Sequence, residues 1–115
     1  MEDMAAEAKQ VLPEQRTCAC HAERYKANPR DEVLRRQLQN RLNRMIGQLN
    51  GLKKMVDADR YCGDILIQIS AVESALQNFG YIVLENHLAT CVSEEIQQGN
   101  TDIIPETVDL IRKLK

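Results

Sequence analysis

Apolar side chains recur along most of this chain in steps of three and four residues, the spacing that one face of an α-helix requires. The first series starts after Pro29, stops near Arg60, and consists of Leu34, Leu38, Leu42, Met45, Leu49, Leu52 and Val56. The second runs from about residue 63 to 97 without a proline and contains Leu66, Ile69, Val72, Leu76, Phe79 and Val83. A third, shorter helix is predicted to begin between Thr101 and Pro105 and to pack through Val108, Ile111 and Leu114. The pattern predicts an all-α protein whose protomer has three helices.

The residues before the first helix lack this periodicity. Residues 1–29 are polar and mixed in charge, and prolines interrupt them at positions 13 and 29. We therefore expect a flexible N-terminal tail over residues 1–29 and one helical domain over residues 30–115.

Three helices of this kind leave part of their apolar surface uncovered. The 115 residues include only three tyrosines, one phenylalanine and no tryptophan, and two or three helices cannot cover each other's apolar stripes. The chain is therefore expected to associate with further copies of itself.

Charge is distributed unevenly around a formal net value of −2. Residues 30–54 contain seven basic and two acidic side chains, and one face of the first helix carries Arg36, Asn40, Arg44, Gly47, Gly51 and Lys54. Each glycine costs about 1 kcal/mol relative to alanine inside a helix, so two spaced by four suggest the close approach of another backbone or a phosphate. The basic face is a candidate polyanion-binding surface, and the alternative is an ordinary face in contact with solvent. For the two glycines, the alternative is that the helix tolerates them without a functional reason.

The N-terminus, residues 1–10, lacks the basic and apolar regions of a secretion signal, and no apolar run approaches the length that spans a bilayer. These features predict a cytoplasmic protein with no membrane association. In that reducing compartment the four cysteines are expected to be thiols available to a metal or a redox task.

The second helix carries three candidate metal ligands, which are Cys62 at its start and His87 and Cys91 near its end. His87 and Cys91 are four residues apart and project from one helix face. Cys62 precedes His87 by 25 positions, which in an unbroken helix is about 37 Å, so all three can bind one ion only if Cys62 comes from a second subunit. Two thiolates and one imidazole form a soft donor set that suits Cu(I) better than four-coordinate zinc. The alternative is a buried cysteine and a histidine that is only packed or exposed.

The tail contains the cluster Cys18, Cys20 and His21. Its spacing is one residue short of the Cys-x-x-Cys-His pattern that attaches haem, so covalent haem is not expected. Two thiols and an imidazole could hold a soft ion as an auxiliary site, or the cluster could be an unstructured part of the tail.

Three segments, residues 40–51, 60–72 and 86–91, resemble in order and spacing the CsoR/RcnR family of bacterial metal-sensing repressors, and most closely its copper-sensing branch. The resemblance implies a three-helix protomer, an antiparallel dimer and a dimer-of-dimers tetramer. It also implies Cu(I) bound by Cys62 of one protomer with His87 and Cys91 of the other. Around the histidine it implies hydrogen bonds from Tyr61 and from Glu106, the latter only if one residue is deleted after Cys91.

The same resemblance implies that the metal-free tetramer binds operator DNA. It also implies that Cu(I) binding releases the tetramer from the DNA and so derepresses genes of copper efflux or homeostasis. No helix-turn-helix is recognisable, so we expect the basic face of the first helix to contact phosphates. The leading candidates are Arg41 and Arg44, followed by Arg36 and Lys54.

Other interpretations remain open. An enzyme is disfavoured, since the chain has no Cys-x-x-Cys and no glycine-rich phosphate loop. A cytosolic Cu(I) chaperone or storage protein would use the same thiols, and a separate copper chaperone is a candidate partner. Within the family, nickel and cobalt sensors carry histidine where Cys91 stands, and persulfide sensors lack the histidine at position 87. Sulfide or aldehyde sensing through Cys62 is a further alternative.

Overall fold

A computed structural model describes residues 23–114; the regular secondary structure in this part of the chain is helical and includes no strand. The helices are α1 (Glu32–Asp57), α2 (Cys62–His87), α3 (Ser93–Gln97) and α4 (Ile103–Leu114), and a π-helical turn, Leu88–Val92, joins α2 to α3. The backbone stays right-handed helical through this turn, so α2, the turn and α3 form one continuous rod. With α1, this rod and α4 as its three helical segments, the structure confirms the predicted all-α protomer.

The ends of α1 follow from local sequence. The Asp31 carboxylate accepts a hydrogen bond from the Leu34 N–H at 2.8 Å, which caps the first turn. At the other end Asp59 adopts a left-handed backbone (φ 54°), a conformation that Asp tolerates better than most residues. This short connection turns the chain back, and α1 and α2 pack as neighbours.

The protomer has a thin core. Among the described residues the buried side chains are Leu38, Met45, Val92, Ile103 and Thr107, and no residue of α2 is buried. Of the apolar series predicted for α2, Leu66 and Leu76 are more than half exposed, at 63% and 55%. An exposed apolar surface of this extent on a central helix is typical of a surface that an interaction partner covers.

The last helix packs against α2 and its π-helical turn. A Cβ atom on Gly80 would lie 2.6 Å from a methyl carbon of Leu114, so the missing side chain of Gly80 lets the end of α4 approach α2. The first turns of α4 bury Ile103 and Thr107. This packing places α4 beside the His87 end of α2.

None of the described helices combines the length and the apolar character that spanning a membrane requires. The cysteines at positions 18 and 20 and the histidine at position 21 lie outside the described residues.

Candidate metal centre

His87 and Cys91 lie together at the end of the rod. His87 is the last residue of α2 and Cys91 belongs to the π-helical turn; both are half-buried. They line the same two cavities, of about 470 and 500 Å³. The two donor side chains therefore open onto shared space, as one metal ion would require.

The π-helical turn was not predicted from the sequence, which indicated a regular α-helix. Within this turn the hydroxyl of Thr90 donates a hydrogen bond to the backbone carbonyl of Asn86 at 2.8 Å. Such bonding to the carbonyl four residues back competes with the helical backbone bond and bends helices. In the sequence, the threonine at position 90, inside the predicted second helix, was the feature that could have indicated this irregular turn.

Cys62 lies at the opposite end of α2. It is the first residue of the helix and is exposed, and it precedes His87 by almost the full 26-residue length of α2, about 37 Å. Within the described part of one chain, no three His, Cys, Asp or Glu side chains are grouped to hold a metal. A site that uses all three predicted ligands must therefore join two chains.

Tyr61, the residue predicted to form a hydrogen bond near the metal, precedes Cys62 and is 75% exposed. Its ring lies against Gly63, where a Cβ atom would be only 2.5 Å from the ring carbon Cε2. Within its own protomer, Tyr61 is as remote from His87 as Cys62 is. Its predicted contact therefore also requires a second chain.

A threonine that the sequence analysis did not identify contacts the histidine. The Thr107 side chain is buried, and its Oγ1 lies 3.5 Å from Nε2 of His87. The same hydroxyl donates to the Ile103 carbonyl at 2.7 Å, so it can accept a hydrogen bond from an Nε2–H group. A neutral ring with its proton on Nε2 keeps the Nδ1 lone pair available to a metal.

Glu106, the predicted hydrogen-bond partner of the histidine, makes a different contact in the protomer. Its carboxylate accepts from the Arg24 guanidinium at 3.2 Å, and the adjacent Thr107 is the α4 residue that contacts His87. The contact of Thr107 could have been suspected from its position four residues after Ile103, which puts both residues on the buried face of α4. A polar residue there has to find a partner.

Replacement of Thr107 by valine is expected to change the tautomer balance of the His87 ring. The hydrogen-bond acceptor for Nε2–H is lost, and a neutral hydrogen bond contributes about 1 kcal/mol, enough to shift a tautomer ratio about fivefold. Nitrogen NMR of the histidine-labelled, metal-free protein at alkaline pH measures this ratio directly.

Thr107→Ser, which keeps the hydroxyl, should restore the wild-type spectrum, and Thr101→Val is the matched control at an exposed threonine. Identical His87 signals in Thr107→Val and the wild type would show that Thr107 does not position the ring.

The sulfur of Cys91 also has a cationic neighbour. The Lys26 ammonium donates to Oγ1 of Thr90 at 2.8 Å and to Sγ of Cys91 at 3.2 Å. Both Cys62 and Cys91 are free thiols. Brought together with the imidazole of His87 in an assembly of two chains, they would make a soft donor set that fits Cu(I) or zinc and does not fit a hard cation such as magnesium.

The basic face of α1 is exposed to solvent at Arg36, Arg44 and Lys54, while Arg41 is half-buried. None of these four side chains forms an ion pair with another described residue, whereas nearby Arg35 pairs with Glu32 at 3.3 Å. Apart from the adjoining backbone of α1 itself, no atom of residues 23–114 lies within 4 Å of a Cβ placed on Gly47 or Gly51. The face therefore has unpaired positive charge and room for another molecule.

Comparison with known proteins agrees with this architecture. A family model described as "Metal-sensitive transcriptional repressor" matches residues 34–113. The copper-sensing transcriptional repressor CsoR of Bacillus subtilis is 40% identical over 94 residues, which are 81% of this chain and 93% of the relative. CsoR of Mycobacterium tuberculosis (strain H37Rv) is 39% identical over 74 residues, 64% of this chain and 62% of the relative.

Solved structures give the same result. The Cu(I)-bound copper-sensing repressor CsoR of Geobacillus thermodenitrificans superposes with a TM-score of 0.72 at 38% identity, over 76% of this chain and 93% of that chain. The nickel-responsive transcriptional regulator InrS superposes with a TM-score of 0.62 at 28% identity, over 77% and 99%. These matches confirm the resemblance seen in the sequence and the expectation of a regulator rather than an enzyme. The chain belongs to the family of metal-sensitive transcriptional repressors.

Proposed function

We propose that this protein is a Cu(I)-responsive repressor, which binds operator DNA without metal and leaves it when Cu(I) binds. The observation that carries the proposal is the soft donor set of two free thiols and one imidazole, in a chain similar to a Cu(I)-bound CsoR. Copper-sensing relatives from Bacillus and Mycobacterium support this choice of metal. Such a regulator would act in the cytoplasm, where it meets DNA.

In this proposal the metal site is shared. Cys62 of one protomer joins His87 and Cys91 of its partner in an antiparallel dimer, and two dimers form a tetramer. The length of α2 and the exposed apolar surface around Leu66 and Leu76 support a dimer built along this helix. Cu(I) in this site would be a soft cation whose three ligands come from two protomers.

The residues around the histidine connect the site to the rest of the fold. Thr107 contacts the His87 ring and belongs to α4, so a reorientation of the ring changes a contact between α2 and α4. Tyr61 and Glu106 are the further residues proposed to form hydrogen bonds around the site in the assembled protein. Coupling between two binding sites typically amounts to about 1–3 kcal/mol, and several sites in one oligomer add their contributions.

Operator DNA would meet the basic face of α1. Its exposed and unpaired side chains Arg36, Arg44 and Lys54 support phosphate contacts, and the open space over Gly47 and Gly51 allows a backbone to approach closely. Arg41 is half-buried in the protomer, which makes Arg44 the stronger candidate of the two leading arginines. Contacts of this type bind DNA largely through electrostatics and weaken as salt rises.

An anaerobic DNA-binding experiment tests the proposal. The purified protein is titrated onto the DNA upstream of its own gene, without metal and with one equivalent of Cu(I), Zn(II) or Ni(II) per protomer. We expect salt-dependent binding that Cu(I) weakens at least tenfold.

Two results would contradict the proposal. A Cu(I) chaperone or storage protein would bind the ion but no duplex. A sulfide- or aldehyde-responsive repressor would bind the duplex and release it on thiol modification, with Cu(I) having no effect.

A further inference from the structure

The Lys26 side chain brings a positive charge into contact with one of the candidate metal ligands. Its Nζ lies 3.2 Å from Sγ of Cys91 and 2.8 Å from Oγ1 of Thr90. All three residues are half-buried, and Lys26 forms no ion pair with a carboxylate of residues 23–114. The ammonium therefore acts on the sulfur without a paired carboxylate to offset its charge.

Thr90 holds this ammonium in place. The hydroxyl proton of Thr90 goes to the backbone carbonyl of Asn86 at 2.8 Å, which leaves the lone pairs of the same oxygen to accept from Lys26. Thr90 and Cys91 both belong to the π-helical turn, so the turn presents an acceptor oxygen and the sulfur side by side. The ammonium is therefore held at the sulfur by contacts that do not depend on a metal.

The cavity of about 470 Å³ that His87 and Cys91 line contains further positive charge. Its lining includes three cationic side chains, Lys26, Arg30 and Lys113, and no acidic one. Within residues 23–114, neither Arg30 nor Lys113 forms an ion pair. The Nε atom of Arg30 is buried without a hydrogen-bond partner in this part of the chain. This side of the ligand pair is therefore electropositive.

The neighbouring cavity of about 500 Å³ contains charges of both signs. Its acidic lining residues are Glu94, Glu95, Asp102 and Glu106. Three of these carboxylates accept hydrogen bonds from other side chains, which are those of Asn28, Asn100 and Arg24. None of the four forms an ion pair with Lys26. Because the interaction of two charges weakens with their separation, the ammonium in contact with Cys91 acts on its sulfur more strongly than they do.

We propose that Lys26 is a specificity-determining residue, whose charge makes the shared site prefer a monovalent to a divalent soft ion. The proposal rests on the proposed Cu(I)-responsive function and names a residue that selects the ion. The ligands Cys62, His87 and Cys91 are the same for either metal, so the donor set alone fits both Cu(I) and zinc. A charge beside the sulfur distinguishes the two ions, because their complexes differ in net charge.

The charge balance of binding gives the direction of this preference. Each coordinating thiol loses its proton to solvent, so two thiolates and a neutral imidazole together carry two negative charges. With Cu(I) the complex keeps one negative charge, whereas with Zn(II) it is neutral. The Lys26 ammonium therefore stabilises the copper complex and gives the zinc complex no net stabilisation. Its half-buried position limits the screening that salt and water impose on exposed charges.

The ratio of the Cu(I) and Zn(II) affinities tests the proposal, measured anaerobically on the full-length protein by competition with a chelator for each metal. Lys26→Leu removes the charge and should weaken Cu(I) binding about tenfold, as expected for the loss of a hydrogen bond between charged groups. Its Zn(II) affinity should change by less than about threefold, since the neutral complex gains little from the ammonium. Lys53→Leu, at an exposed lysine of α1, is the matched control and should keep both affinities.

Two further variants separate the charge of Lys26 from its hydrogen bond. Lys26→Arg keeps the charge and should keep the wild-type ratio, whereas Lys26→Gln keeps an N–H donor without charge and should behave like Lys26→Leu.

Three results would overturn the role of Lys26 and leave the proposed function intact. These are an unchanged Cu(I) affinity in Lys26→Leu, an equal loss for both metals, and a wild-type ratio in Lys26→Gln. An equal loss would mean that Lys26 only supports the structure of the site, and a wild-type ratio in Lys26→Gln would assign the effect to the hydrogen bond. A wild type whose DNA binding does not respond to Cu(I) would instead overturn the proposed function itself.

Discussion

Two variants that each fail to respond to Cu(I), Cys62→Ser and Cys91→Ser, are expected to recover Cu(I) binding when they assemble together. In an antiparallel dimer of the two, one site lacks both cysteines and the other has Cys62 from one chain with His87 and Cys91 from the other. Random pairing makes half of the dimers mixed, so about one quarter of the sites are restored. Each variant alone should lose more than the roughly 10–100-fold affinity that outer contacts to a metal contribute.

The measurement uses co-expressed chains with two different tags, purified for the mixed assembly and titrated with Cu(I) under anaerobic conditions. A matched control pairs Cys91→Ser with His87→Ala. Both substitutions affect the same end of α2, so every site in that mixture lacks a ligand and no recovery is expected. Recovery in the control, or none in the Cys62→Ser mixture, would show that the ligands are not divided between chains as proposed.

Substitution of Arg44 by alanine is expected to cause the largest loss of DNA affinity among single changes on α1. The side chain is exposed and has no ion-pair partner among the described residues. A hydrogen bond to a charged group contributes about 1.5–3 kcal/mol, which is at least about tenfold in affinity for each arginine and about a hundredfold when two protomers engage the duplex. The slope of log affinity against log salt should also fall by about 0.9 for each phosphate that the variant no longer neutralises.

Arg35→Ala is the matched control for this experiment. Arg35 is the neighbour of Arg36 on α1, but it already pairs with Glu32 at 3.3 Å. Its replacement should leave both the affinity and the salt slope nearly unchanged, because the Glu32 carboxylate already offsets the charge of Arg35. An equal loss in the two variants would mean that general positive charge, rather than the predicted face, binds the DNA.

The helices could be predicted because their signals are local. The three- and four-residue steps on α1 and α2 indicated where each helix lies, and the break at Pro29 placed the start of α1 within three residues of its observed first residue, Glu32. The predicted second helix, residues 63–97, corresponds to the continuous rod of α2, the π-helical turn and α3. The turn itself was missed, because a hydroxyl such as that of Thr90 can bond either to the backbone or to solvent.

The candidate ligands could also be identified from spacing, but their surroundings could not. The contact of Thr107 with His87 joins residues 20 positions apart, and that of Lys26 with Cys91 joins residues 65 apart. Glu106 pairs with Arg24 across 82 positions. Contacts at such separations depend on how helices pack, which no local pattern encodes.

The sequence by itself determined the helical class and the donor types, and it predicted a metal site shared with a second chain, since helix periodicity and helix length follow from residue order alone. Tertiary structure decided which residue supports the histidine, which arginines of α1 are exposed and what contacts Cys91. The first and the last of these depend on the approach of α4 to α2 over Gly80 and on the path of residues 24–28. Both are outcomes of side-chain packing between segments far apart in the chain, where small differences in shape and polarity select one arrangement.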